Sequence, residues 1–180
     1  MSSTNLPQPW LSFLHEIDGF LKEETYLHCL GGFVVTQVYG SRRSTSDLDA
    51  LTLVQKDPQL FAFAGEGSSL HRRHNVFLAP VGIVTLPENY EDRLTERYAI
   101  FQNLRLFVLD PYDLALAKIE RNIERDRDDV KFLASKTPFD LEVLKLRYYE
   151  ELRPYLAIPE REDLTLRLWV EMIEEERSAK

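Results

Sequence analysis

Asp47-Leu48-Asp49, set between the polar loop of residues 40–46 (Gly-Ser-Arg-Arg-Ser-Thr-Ser) and the apolar run Leu51-Thr52-Leu53-Val54, constrains the fold of this chain more than any other segment. An apolar run bounded by turn residues reads as a buried strand, here over residues 48–54. Side chains two apart on a strand point to the same side of the sheet, so Asp47 and Asp49 share a face. Two carboxylates so placed repel unless a cation lies between them, and Arg42, Arg43 or a divalent metal can be that cation. The Gly40-Ser41 turn offers backbone N–H groups and a hydroxyl to phosphates that the same metal contacts. Metal and phosphate at one place point to phosphoryl or nucleotidyl transfer chemistry. The plainer reading is a polar loop ahead of an ordinary strand, since Asp-x-Asp is a common dipeptide pattern.

The rest of the chain alternates helix and strand signals. Helical spacing over residues 10–24 (Trp10, Leu11, Phe13, Leu14, Ile17, Phe20, Leu21) predicts a first helix with Pro9 at its start. Residues 26–30 read as a strand ending at Gly31-Gly32. Val34, Val35, Thr36 and Val38 favour a strand by local propensity. A short helix or turn follows at 56–63, then a breaker cluster at 65–69. Strand signals at 76–78 and 83–86 bracket Pro80 and Gly82, and another strand is expected at 104–109. A helical pattern occupies 111–133, opened by Asp110 or Pro111. Amphipathic helices follow at 139–152 and 164–176, with Pro154 and Pro159 delimiting the segment between them.

Composition limits the function classes. The 180 residues carry a formal net charge of −8, so a nucleic acid partner has to meet a local basic patch. His71-Arg72-Arg73-His74, with Arg42 and Arg43, is the best candidate for that patch; a zinc site on the two histidines lacks an evident third ligand. Cys29 is the only cysteine, which excludes an intramolecular disulfide and a cysteine-based zinc site, and it reads as buried packing. The N-terminal residues lack a charged segment ahead of an apolar core, and no apolar run reaches the length of a membrane span, so the expected location is the cytoplasm. Trp169, Tyr148 and Tyr149 fall at helical spacing and are expected in a core or interface.

Gly31-Gly32, Gly40-Ser41 and the run Arg43-Ser44-Thr45-Ser46-Asp47-Leu48-Asp49, joined by a second block of Asp113, Lys118, Arg125-Asp126 and Asp129, resemble the nucleotidyltransferase-like proteins of the DNA polymerase β superfamily, in the abortive-infection and toxin–antitoxin branch. The resemblance spans residues 25–135. It implies an α/β (α+β) nucleotidyltransferase fold, a small mixed sheet flanked by helices with a C-terminal helical segment, divided as a core of residues 1–135 and a helical extension of 136–180. It places a short helix, not a strand, at 33–39. Asp47 and Asp49 are the implied metal ligands for Mg²⁺, with Mn²⁺ as an alternative. Gly40, Ser41, Arg43, Thr45 and Lys118 are the implied nucleotide-binding residues, and Asp47, Asp49 and Lys118 the catalytic ones. Asp113, Arg125, Asp126 and Asp129 are supporting residues, Asp126 or Asp129 orienting the Lys or Arg of the site. The implied substrate is a nucleoside triphosphate, the acceptor an RNA such as the 3′ end of a transfer RNA, and the partner a cognate antitoxin.

One departure qualifies that picture. Enzymes of this type usually carry a third carboxylate on a later strand, and residues 75–79 (Asn-Val-Phe-Leu-Ala) have none. Glu66 and Glu88 lie on flanking loops. The alternatives are a catalytically degenerate binding protein that keeps the fold, and a nucleotidyltransferase of the antibiotic-modifying type that acts on a small molecule.

Overall fold

The computed structural model describes residues 6–52, 54 and 57–179. The reading of the N-terminal leader rests partly on residues 1–5, and the expected strand and helix at 48–54 and 56–63 include residues 53 and 56; these lie outside the described residues. The chain forms two compact units, Met1–Ile83 with Leu94–Leu109, and Val84–Arg93 with Asp110–Lys180.

The first unit holds the sheet. Helix α1 (Trp10–Phe20) buries Trp10, Phe13, Leu14 and Ile17, the apolar stripe its spacing dictates, and ends where Leu21 turns extended. Five strands follow in sequence: β1 (Thr25–Leu30), β2 (Asp47–Leu51), β3 (Phe77–Val81), β4 (Thr95–Arg97) and β5 (Leu104–Val108). Their order is β3-β2-β1-β5-β4, with β1 parallel to β5, β2 parallel to β3, and the β1–β2 and β4–β5 pairs antiparallel. Alternation divides each strand between two sides: Leu27, Cys29, Leu48, Ala50, Leu78 and Leu106 are buried, while the opposite side carries His28, Asp47, Asp49, Phe77 and Phe107 at partial exposure. Short helices α3 (Pro58–Ala64) and α4 (Ser69–His74) pack on each other, on α1 and on β3. Asp18 of α1 accepts the N–H groups of Gln102, Asn103 and Leu104 at 3.0, 2.6 and 2.9 Å, which fixes the start of β5.

Three local outcomes differ from propensity or pattern. The valine-rich segment is helical: α2 (Gly31–Phe33) runs into a π turn at Val34–Val38 closed by Tyr39 N–H to Val34 O at 3.1 Å. Phe33, Val34 and Val35 are fully buried there, and that packing overrides the β preference of branched side chains. Strand β3 continues through Pro80, which is tolerated because β3 is an edge of the sheet. Residues 83–86 form no strand, and Ile83 is fully exposed. The other edge is β4, whose Thr-Glu-Arg sequence has no apolar alternation by which to recognise it.

The second unit is helical. Asp110 caps α5 (Pro111–Leu116) by accepting the Asp113 N–H at 2.9 Å, with Pro111 in the first turn. The helical pattern expected at 111–133 is broken at residues 117–123, where Asn122 takes a φ of 45°, and α6 (Glu124–Lys136) begins afresh. Helix α7 (Leu141–Arg147) passes into a π turn at Tyr148–Leu152, and α8 (Pro159–Ser178) starts earlier than its apolar pattern because Pro159 suits a first turn. Tyr148 and Trp169 are buried, as their spacing implies, whereas Tyr149 is half exposed. Among the described residues no helix is long and apolar enough to cross a membrane.

Candidate active site

The site on the first unit is built from β2 and the segment that precedes it. Asp47 and Asp49 stand half-buried on one side of β2 while Leu48 and Ala50 between and beyond them are buried, the outcome required by a period of two. The Thr45 hydroxyl donates to Asp47 Oδ1 at 2.7 Å. Across the sheet Asp49 pairs with Leu30, the last residue of β1, so its carboxylate meets the chain where β1 turns into α2. A Cβ on Gly31 would lie 1.8 Å from Asp49 Oδ2, and Gly31 also has a φ of +68°, so two independent constraints demand glycine. A Cβ on Gly32 would lie 2.6 Å from Thr45 Oγ1 and 2.9 Å from Arg43 Nη2. Gly31 and Gly32 therefore form a side-chain-free floor under Asp49, Thr45 and Arg43. This floor is also the start of a helical segment, residues 31–38.

Gly31 and Gly32 are the residues that reading the motif alone underrates. The available signal was their position, directly after one strand and before a helical segment. The expected phosphate cradle at Gly40-Ser41 is placed differently. Gly40 has a φ of +82° with open space about it, and the Ser41 N–H is spent on Val35 O at 3.1 Å, leaving the hydroxyl. Arg43 lies over Gly32 and donates to Ser44 O at 3.3 Å, while Arg42 is exposed.

The neighbouring strand supplies no third acid. In the β2–β3 register Phe77 stands beside Asp47 and Ala79 beside Asp49. Among the described residues no group of three His, Cys, Asp or Glu is placed to hold a metal. A pair of carboxylates still fits Mg²⁺, which commonly takes one or two protein carboxylates and completes its shell with substrate phosphates and water. The basic patch expected at 71–74 is consumed internally: Arg73 and His74 engage Glu16 at 2.9 and 2.7 Å, Arg72 donates to Gly67 O, and His71 Nδ1 accepts the Gly67 N–H. Arg73 and His74 tie this helix end to α1, while Arg72 and Arg73 stay exposed.

The second block of expected site residues forms two charge clusters within the helical unit. The first is centred on Lys118, which is nearly buried, its Nζ 3.0 Å from Asp129 Oδ2 and 3.6 Å from Asp126 Oδ1. Asp126 also takes Arg121 Nε and Nη2 at 2.8 and 2.5 Å and the Ile123 N–H at 3.2 Å. Burial opposes the Asp126 charge, but Arg121, Lys118 and the Ile123 N–H together hold its carboxyl below the usual carboxylate range. Arg125 is exposed beside this cluster.

The second cluster surrounds Asp113, which is fully buried. It accepts Arg93 Nε at 2.8 Å and Nη2 at 3.1 Å, and Arg147 Nη1 at 3.0 Å; Arg93 also reaches Glu151 at 2.7 Å, and Arg147 reaches Asp110 at 2.7 Å. Burial pushes the Asp113 carboxyl up, against the pull of Arg93 and Arg147. The partners of Asp113, Arg93 and Arg147, lie 20 and 34 residues away in sequence, beyond the reach of a local pattern. Thus the structure gathers Arg43, Thr45, Asp47 and Asp49 in one unit, and Lys118, Asp126 and Asp129 in the other.

A search of curated proteins and a search of solved structures returned no match. A family model described as a nucleotidyltransferase of unknown function (DUF6036) matches residues 14–177, which takes in the whole sheet and nearly all of the helical unit. With Asp47 and Asp49 aligned on β2 of a five-stranded mixed sheet, over a glycine pair that opens a helix, the chain belongs to this family of nucleotidyltransferases.

Proposed function

We propose that the chain transfers a nucleotidyl group from a nucleoside triphosphate to a hydroxyl acceptor, with Asp47 and Asp49 holding Mg²⁺ or Mn²⁺. The observation that carries this reading is the pair of half-buried acids on one side of β2, with Asp49 packed against Gly31. The bound ion neutralises triphosphate charge and acidifies the attacking hydroxyl. The Thr45 hydroxyl fixes Asp47 through Oδ1, leaving Oδ2 for the ion. Gly31 admits the Asp49 carboxylate to the helix start, where backbone N–H groups are suited to phosphate oxygens. The Ser41 hydroxyl and Arg43 add a donor and a positive charge to the same segment. Lys118 is assigned to the phosphates as well, on the family resemblance alone.

We assign the acceptor to RNA, the 3′ end of a transfer RNA in the first instance, and the biological role to a toxin restrained by an antitoxin. A small-molecule acceptor is the second reading, favoured by the net charge of −8 and by the internal pairing of the basic residues on α4. Incubating the protein with each labelled triphosphate, Mg²⁺ and total RNA tests the proposal. Label on RNA that disappears in Asp49→Ala supports it. Label only on added small hydroxyl compounds selects the second reading. No transfer from any triphosphate leaves a degenerate binding protein.

A further inference from the structure

The side of the sheet that carries Asp47 and Asp49 also carries an aromatic group that the proposed chemistry does not use. Tyr26 and His28 of β1 and Phe107 of β5 lie on it, with ring centroids 5.9 Å apart for Tyr26–Phe107 and 6.1 Å for His28–Phe107. Tyr26 is 45% exposed, and His28 and Phe107 are partly exposed. The register fixes where this group stands relative to the acids. Asp49 pairs with Leu30, His28 is the next residue of β1 on that side, and His28 pairs with Phe107. Neighbouring strands lie about 4.8 Å apart and each residue rises about 3.3 Å, so Phe107 is roughly 12 Å from Asp49 across the sheet. That is the reach from the phosphates of a nucleoside triphosphate to its base.

We propose that Tyr26 and Phe107 form a stacking platform for the nucleobase of the triphosphate whose phosphates meet Asp47 and Asp49. This rests on the nucleotidyltransferase reading and adds the base site to it. Aromatic faces stack any base, and the charged groups around the platform are paired with one another: Arg105 with Glu24 and Glu96, and the Tyr26 hydroxyl with Glu24. The platform therefore recognises a base by its area, accepting all four and holding purines more tightly than pyrimidines.

Calorimetric titration of the wild-type chain, Tyr26→Leu and Phe107→Leu, in Mg²⁺, with non-hydrolysable analogues of the four nucleoside triphosphates and with inorganic triphosphate, tests the platform. The expected result is that the analogues bind about tenfold or more tighter than inorganic triphosphate, and that each variant loses most of this difference. Inorganic triphosphate binds all three proteins equally. Variants that hold the analogues as the wild type does, or that lose inorganic triphosphate to the same extent, overturn the platform and leave the acid site standing. No Mg²⁺-dependent binding of any probe overturns both.

Discussion

Asp47 of the sheet unit and Asp126 of the helical unit are both shielded aspartates, yet their surroundings are opposite. Asp126 is fully buried and its charge is answered by Arg121, Lys118 and a backbone N–H. Asp47 is half-buried, receives one neutral hydroxyl, and makes no ion pair among the described residues, although Asp49 stands on the same side of the strand. A carboxylate matched by cations is spent on the fold, because a buried charge without its partner is costly. A carboxylate left without a cation beside another acid keeps its charge for something that comes from solution. This contrast supports the proposed metal site at Asp47 and the reading of Asp126 as a holder of Lys118 and Arg121.

The largest test separates the two aspartates by what they affect. Asp47→Asn is expected to reduce labelled transfer by at least about a thousandfold, as loss of a metal ligand removes several kcal/mol of transition-state stabilisation. Its melting temperature should stay level or rise, since like-charge repulsion is relieved. Asp126→Ala is expected to cost about 3–5 kcal/mol in urea unfolding by leaving Lys118 and Arg121 without a shared partner. A melting temperature that falls in Asp47→Asn and holds in Asp126→Ala would break the comparison.

Glycine substitutions sharpen it within the sheet unit. Gly31→Ala sets a methyl group against the Asp49 carboxylate and strains a positive φ, so both stability and transfer should fall, stability by about 1–3 kcal/mol. Gly40→Ala strains a positive φ in open space and should cost about 1 kcal/mol with transfer retained. Equal losses of activity in the two variants would separate Asp49 from the glycine floor.

An effect of similar size concerns acid. Burial opposes the Asp18 charge, but three backbone N–H groups hold its carboxyl below the usual range. A carboxyl depressed in the folded state contributes stability above its unfolded pKa, about 3.9, that is lost as the pH falls through the lower folded value. Asp18→Asn should cost about 1–2 kcal/mol at pH 7, and the gap from the wild type should close below about pH 4. A gap that is independent of pH removes the charge from the explanation.

How far the sequence revealed this molecule depended on the range of the interactions. The alternation Asp47-Leu48-Asp49-Ala50 and the stripe of α1 are local periodicities, and both survive in the structure as read. The segment after Gly31-Gly32 favours a strand by its valines, whereas the family resemblance implies a short helix, and the structure has the helix, held by burial that no local pattern reports. The break after α5 is local, but apolar spacing does not report it: the Asp126 carboxylate takes the Ile123 N–H three residues back and starts a second helix inside a continuous helical pattern. At the site, the acids were legible because a strand displays them in step. The floor beneath them was not, because the contact of Asp49 with Gly31 joins the middle of β2 to the residue after β1. The pairing of Arg73 and His74 with Glu16 needed the packing of α4 on α1.

The central claim is that Asp47 and Asp49 together receive a metal-bound triphosphate, and equilibrium binding of a non-hydrolysable nucleoside triphosphate with and without Mg²⁺ measures it most directly. The account predicts binding that requires Mg²⁺ in the wild-type chain and that is lost in Asp47→Asn and in Asp49→Asn, each variant melting as a folded protein. Binding that persists in both variants, or that is the same without the metal, would contradict it.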